Sequence, residues 1–260
     1  MTYQLYTKNE IKERPKRKHV TLESYIIGKN APTVLVCPGG AYRMVSDFNE
    51  GKPFALELNK RGYNAFVLFY SIGAGNARYP YPLNDVARAL QFIKSKAGEL
   101  KINADSIALM GSSAGGHLAA LFSAQYKRFE TEYESEIYNL KPSALLLTYP
   151  VITMGELTHK ESRTNLLGAL SGKTERDAAS VEKIVTADYP PAFMWHNKDD
   201  RSVDYRNSVM LKGALDRCGV KNELLLYETG GHGVGLAKGL DADGWIDKAI
   251  DFLDSVTEKQ

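Results

Sequence analysis

The stretch "ALMGSSAGGHLAA", residues 108–120, sets Ser113 between Gly111 and Gly115, directly after an apolar run and before a helical pattern. Gly111-Ser112-Ser113-Ala114-Gly115 fits G-x-S-x-G, in which the central serine sits on a strained strand-to-helix turn that lifts its hydroxyl above a sheet edge. The flanking glycines are needed because a Cβ there would strike the closely packed strand and helix. Given an average glycine usage of about 7%, chance alone yields the motif in about one chain in ten of this length. The surroundings must therefore decide.

Working outward, short apolar runs alternate with longer helical patterns: "HVTLESYII", "TVLVC", "YNAFVLFY", "SIALMG", "SALLLTYP", "AFMWH" and "ELLLYE" read as strands. Leu83, Val86, Ala87, Leu90 and Ile93 repeat at helical spacing, as do Trp245, Ile246, Ala249, Ile250 and Leu253. Alternation of this kind predicts an α/β fold with a mostly parallel sheet covered on both faces. The polar segment from Val151 to Pro191 has no strand pattern. A structureless loop of that length is rare in a compact domain, so a small helical cap is expected there, at about 151–190. Ligands of such sheets bind beyond the carboxyl ends of the strands. Every chemical candidate should therefore follow a strand.

Ser113 does, and a serine hydroxyl becomes a competent nucleophile only when a neighbouring base takes its proton. Of the five histidines, His232 follows the strand "ELLLYE" in the loop "TGGHGVG", where small neighbours leave its ring free. His117 lies in the helix after Ser113 and reads as a packing or capping residue. His196 ends a strand and reads as a structural hydrogen-bonding group, while His19 and His159 have no supporting context. A base histidine needs an acid to fix its tautomer. "WHNKDDRSVD" offers Asp199, Asp200 and Asp204, although acids in such turns are often local caps. The chain order serine, aspartate, histidine is that of the α/β hydrolases. The oxyanion formed during attack needs amide donors, one of them on Ala114, directly after the nucleophile. "VCPGGAY" also follows a strand, and Gly39-Gly40 would let its backbone approach the substrate closely.

At this point a resemblance becomes specific. "CPGGAYRMVSDFNEGKPFALELNKRGYNAFVLFYSI" is similar to the P-G-G-G-Y…G-Y-x-A-F-V-L-x-Y-S segment of the bacterial acetyl-xylan-esterase-like α/β hydrolases, also labelled lipase/esterase or sugar hydrolase. "YPYPLNDVARALQFI", "GSSAGGHLAA", "RTNLLG", "PPAFMWHNKDD" and "GGHGVGLA" continue the likeness in order, from about Thr33 onward. Carried over position by position, the resemblance implies Ser113 as nucleophile, His232 as base and Asp200 as acid, the last by its place in the H-x-x-x-D turn. It implies oxyanion amides on Gly40, Ala41 and Ala114. Two positions depart from the family pattern. Ala41 replaces a third glycine, so a methyl group narrows the acyl side or limits φ. Asp204 stands where a proline often follows the acid turn. Asp85, beside the Tyr-Pro-x-Pro element, reads as structural, near a helix N-terminus that favours its charge.

The chain of 260 residues, 43% hydrophobic and 25% charged, suffices for one α/β-hydrolase domain. A formal net charge of +2 argues against a nucleic-acid binder. The one basic cluster, Lys12, Arg14, Lys16, Arg17 and Lys18, reads as a solvated arm. Cys37 and Cys218 are too few for a disulfide framework, and Cys37 reads as a buried thiol. Neither a signal-peptide core nor a membrane span is visible, so a soluble cytoplasmic protein is expected, with no membrane or nucleic-acid partner and a homo-oligomer left open. No metal or organic cofactor is implied, since H-E-x-x-H and G-x-G-x-x-G are absent. The resemblance implies a small ester as substrate, an acylated sugar such as an acetylated xylo-oligosaccharide, and the 151–190 segment, polar where a lipase would be apolar, suits such a hydroxyl-rich alcohol. An arylformamidase or a lipid esterase would use the same residues. A peptidase or a non-catalytic ligand-binding relative stands further off.

Overall fold

All five residues of Thr33–Cys37 are buried, as a strand covered on both faces must be. In the computed structural model, which describes residues 1–104 and 106–257, this run is the third strand of a sheet whose order explains that burial. The chain begins with β1 (Thr2–Gln4), α1 (Lys8–Glu13), β2 (Thr21–Tyr25), β3 (Thr33–Cys37), α2 (Lys52–Lys60) and β4 (Asn64–Phe69). Then come α3 (Tyr81–Ser95), α4 (Ala97–Leu100), β5 (Ile107–Ser112), α5 (Ser113–Gln125), β6 (Glu132–Tyr133), β7 (Glu136–Ile137) and β8 (Leu145–Thr148). After β8 follow α6 (Lys160–Leu167), α7 (Lys173–Ala178), α8 (Val181–Ile184), β9 (Ala192–Asn197), α9 (Arg206–Arg217), β10 (Asn222–Tyr227) and α10 (Trp245–Thr257). The main sheet runs β1-β2-β4-β3-β5-β8-β9-β10, and β6 pairs with β7 in a separate ribbon. From β4 through β10 every pairing is parallel, while β1–β2 and β2–β4 are antiparallel.

Side-chain alternation along each strand divides the core between two faces. Val34 and Val36 join Phe54, Leu58 and Trp245, which places α2 and α10 on one face. Leu35 and Cys37 join Leu83, Leu118 and Leu211, which places α3, α5 and α9 on the other. The two helical stripes read from the sequence, from Leu83 to Ile93 and from Trp245 to Leu253, are buried throughout. A fully buried side chain of this size contributes about 1.5–3 kcal/mol, so these stripes, more than helix propensity, hold the layers together.

One expectation is corrected. The basic cluster is not a solvated arm, because the segment that carries it is docked on the body of the protein. β1 pairs with β2, Arg14 lies 3.2 Å over the Tyr81 ring and donates to the Asn76 carbonyl, and Arg17 stacks on Tyr6. Guanidinium groups bind aromatic faces while their stems cover apolar surface, so Arg14 and Arg17 are anchors and only the lysines stay exposed. Asp85 is structural, as expected: early in α3 and fully buried, it accepts from the Tyr6 hydroxyl at 2.5 Å and the Ser71 amide at 2.6 Å. Burial pushes its carboxyl up to about 6 against the opposing pull of those hydrogen bonds.

The segment between β8 and β9 starts inside the core, with Val151, Ile152 and Met154 fully buried, and then forms α6, α7 and α8. Asn207 in α9 accepts from the amides of Ile152 and Thr153, and Ser180 accepts from that of Met154. His117 completes the attachment. Its Nε2 faces the Ala179 carbonyl at 2.8 Å and must carry the proton, leaving Nδ1 to accept from Tyr42 at 2.8 Å. Among the described residues no helix is long and apolar enough to cross a membrane. Cys37 and Cys218 are unbridged.

Candidate active site

The β5–α5 corner explains the glycines around Ser113. A Cβ on Gly115 would lie 2.1 Å from the Cys37 carbonyl oxygen and 2.3 Å from that of Pro38. Only glycine lets the start of α5 rest on the end of β3. Ser113 itself has φ +52°, a left-handed value that a non-glycine residue adopts at a cost of about 1–3 kcal/mol. That strain aims the side chain away from the helix it begins. Ser112 faces elsewhere, its hydroxyl accepting from Thr148 at 2.7 Å.

His232 reaches this corner from the loop after β10. Its Nε2 lies 2.9 Å from Ser113 Oγ, and its Nδ1 lies 2.6 Å from Asp200 Oδ2. A carboxylate only accepts, so Nδ1 carries the proton and Nε2 is left to accept from the serine. Asp200 also takes the amides of Ser202 and Val203 on Oδ1, at 2.8 and 2.9 Å, and His196 Nε2 at 3.2 Å on Oδ2. Burial alone would raise this carboxyl, but hydrogen bonds from His196 and His232 outweigh it and hold Asp200 well below the usual carboxylate range. It is therefore ionised beside His232.

The three acids of the "DDRSVD" turn separate cleanly. Asp199 accepts from the amides of Gly230 and Gly231, at 3.2 and 2.9 Å, and so shapes the histidine loop without touching the ring. Asp204 binds Arg206 just before α9. His196 is a structural group, with Nε2 toward the Val203 carbonyl and Nδ1 toward Ser208.

The loop after β3 supplies amides. Gly40 has φ +123°, and a Cβ there would sit 2.3 Å from the Met44 carbonyl oxygen, so this position requires glycine. Ala41 takes φ +56° despite its methyl group. The carbonyls of the loop are occupied: Gly39 accepts from Ser46, Gly40 from Arg43 and Met44, and Ala41 from Asn165 Nδ2 at 2.8 Å. The amides of Gly40, Ala41 and Ala114 have no protein partner among the described residues. Free N–H groups beside a serine hydroxyl are what an oxyanion formed by its attack would need.

Ser113, His232, Gly40, Ala41 and Met44 line one cavity of about 230 Å³. A larger cavity of about 550 Å³ adjoins it, sharing Arg43 and Met44, but holds none of the reactive groups. Chemistry, not size, marks the smaller one. It also holds His159, which the sequence left without context, and Glu50, which no motif singled out. His159 precedes α6, is hydrogen-bonded with Ser162 at 2.9 Å, and is held below the usual histidine range by burial and by nearby His232. The ring of Tyr149, directly after β8, meets that of His232 edge-on with centroids 4.9 Å apart. Only position after a strand could have flagged Tyr149. Among the described residues no group of three or more His, Cys, Asp or Glu side chains is arranged to hold a metal ion.

Residues 24–215 match the model of the BD-FAE family. The chain belongs to that family. BD-FAE is here the acetyl-xylan-esterase-like α/β-hydrolase family that the sequence resembles. It is 34% identical over 217 residues to Endo-1,4-beta-xylanase B of Butyrivibrio fibrisolvens, covering 82% of this chain and 34% of that protein. It is 32% identical over 203 residues to an acetylxylan esterase of Xylanibacter ruminicola, covering 76% and 40%. The chain thus spans between about a quarter and a half of the length of the curated relatives it matches. Among solved structures, an acetyl ester-xyloside bifunctional hydrolase from Caldicellulosiruptor lactoaceticus superposes with a TM-score of 0.89 at 31% identity, covering 98% of this chain and 96% of that one.

Proposed function

We propose that this BD-FAE chain is a serine esterase that removes short acyl groups, acetyl first among them, from sugars or xylo-oligosaccharides in the cytoplasm. The observation that carries the reading is His232 standing between Ser113 and Asp200, at 2.9 and 2.6 Å, beside the unpartnered amides of Gly40, Ala41 and Ala114.

His232 Nε2 takes the Ser113 proton as Oγ attacks the ester carbonyl, and Asp200 stabilises the imidazolium that forms. The amides of Gly40, Ala41 and Ala114 receive the oxyanion. Each such donor is worth roughly 2.7–4 kcal/mol in the transition state. His232 then protonates the departing alcohol, and water, activated by the same imidazole, releases the acid from the acyl-serine. Support for a sugar alcohol comes from the relatives, an acetylxylan esterase and an acetyl ester-xyloside hydrolase, and from the polar rim of the cavity, where Arg43, Ser46, His159 and Ser202 offer hydrogen-bonding groups. The segment at about 151–190 acts as a small cap on the single domain, with His159 as its contribution to the alcohol side.

The test is labelling with a fluorophosphonate, which reacts only with an activated serine, followed by turnover of acetylated xylo-oligosaccharides beside aryl acetates. Ser113→Ala should abolish labelling and hydrolysis, and Ser112→Ala should keep both. Labelling that persists in Ser113→Ala would remove the serine reading.

A further inference from the structure

Glu50 is a carboxylate 3% exposed, in a π-helical turn over Asp47–Gly51, with no cation facing it at bonding distance among the described residues. An unneutralised buried acid is costly unless hydrogen bonds satisfy it. Both its oxygens are taken, and each leads to a different loop of the site. Oε2 accepts the Gly39 amide at 2.8 Å, and Oε1 accepts the Tyr149 hydroxyl at 2.8 Å. The Tyr149 oxygen in turn accepts the Gly235 amide at 3.0 Å, three residues beyond His232, while the Tyr149 ring packs against the imidazole. Trp245 Nε1 holds the Gly235 carbonyl from the other side at 3.0 Å.

The position of Gly39 makes the first arm tight. A Cβ there would meet Glu50 Oε2 at 2.6 Å and Ser113 Cβ at 3.0 Å, so the backbone at Gly39 is wedged between the carboxylate and the nucleophile. With its own amide committed to Glu50, Gly39 cannot serve the oxyanion. The next amides, on Gly40 and Ala41, are the free ones. One carboxylate therefore ties together the two loops whose spacing decides whether a tetrahedral intermediate is held by amides and base at once.

We propose that Glu50 is a positioning residue, whose carboxylate clamps the oxyanion loop through Gly39 and the histidine loop through Tyr149. It touches no reacting atom. The inference rests on the serine-esterase reading above and specifies what keeps that machinery in register. Misplacing a group by about 1 Å can cost about 10²-fold in rate, which sets the scale of the effect.

The experiment compares wild type, Glu50→Ala, Glu50→Gln and Tyr149→Phe on an aryl acetate, with rates normalised to serines titrated to completion with fluorophosphonate. Phenylboronic acid, which forms a tetrahedral adduct on an active serine, serves as the probe of that geometry. Glu50→Ala should lose about 10²-fold in kcat with KM within about threefold, and boronate affinity should fall in parallel, because both report the tetrahedral state. Glu50→Gln should recover most of kcat, since its amide oxygen can accept from Gly39. Tyr149→Phe deletes one oxygen and only the second arm, so its loss should be smaller, about tenfold, again in kcat. A merely structural Glu50 would lower Tm and the titratable fraction while leaving kcat per titrated serine and boronate affinity unchanged, and that result overturns the proposal. Should Glu50→Ala not fold, an unchanged kcat per titrated serine in Tyr149→Phe overturns it equally. A wild type that neither labels nor hydrolyses aryl acetates would instead overturn the esterase reading beneath it.

Discussion

The loops at the strand ends and the insertion between β8 and β9 both reach the cavity, but by different means. Ser113, Asp200 and His232 stand within about five residues of the last residue of β5, β9 and β10, so the sheet itself fixes where each can point. His159 and Asn165 stand more than ten residues past β8 and arrive by the packing of α6, which is held through side-chain contacts such as Arg163 to the Met154 and Gly155 carbonyls. Main-chain placement serves groups that must hold a geometry. Side-chain placement serves a rim that, on the proposed reading, can vary with the alcohol it meets.

If that division is right, the deepest loss comes from the strand ends. An aspartate that fixes a histidine tautomer is worth about 10⁴ in kcat in a serine protease. Asp200→Asn should therefore lose several orders of magnitude in kcat, and Asp199→Asn far less, because Asp199 meets only backbone amides. Steady-state rates on an aryl acetate decide this, and the reverse ranking would misplace the acid by one residue.

His117 tests how firmly the insertion is attached. Burial depresses its pKa from 6.5 to about 4, so the folded protein keeps it neutral where the unfolded chain binds a proton. Its contribution is therefore complete above about pH 6.5 and is lost as pH falls toward 4, amounting to about 3 kcal/mol. Denaturant titrations at pH 7 and pH 4.5 should show wild type losing stability across this window, and His117→Asn losing distinctly less. Parallel curves would mean that the imidazole is reached by water.

On the proposed reading the acyl side belongs to a strand-end loop and should be strict. Ala41 sets a methyl group beside the place of the carbonyl, and one misfitted methylene changes specificity by roughly 1–3 kcal/mol. We expect kcat/KM to fall at least tenfold from acetate or propionate to octanoate esters. Equal rates on octanoate would assign the site to lipid esters and leave its reactive groups where they are. The mildest effect should come from α6: Asn165→Ala removes one hydrogen bond to the Ala41 carbonyl and should cost about fivefold in kcat/KM. A loss as large as that of Asp200→Asn would erase the distinction between the two regions.

The same distinction explains what could be read from the sequence. The alternation of apolar runs pointed to Ser113 and His232 because each falls within a few residues of a strand end, and periodicity located both helical stripes. The choice of Asp200 over its neighbours needed the resemblance, since three acids in one turn look alike until their amide partners are known. Glu50, Tyr149 and His159 were illegible for a different reason. Glu50 and Tyr149 meet partners 11 to 99 positions away, through pairings that no local spacing announces, and His159 reaches the cavity only through the packing of α6. Arg14 and Arg17 misled because a run of basic residues carries no mark of the rings it will cover.

The contact between Gly115 and the end of β3 has a consequence for redesign. The start of α5, which carries Ser113, and the loop after β3 touch there with no slack, so they form a single jig. Changes at Met44 or Ala41 can reshape the acyl pocket without altering that jig, and changes in α6 can retune the alcohol side. A side chain at 115 would displace the serine and its amides together, and no compensating change elsewhere in the cavity could reset one without the other.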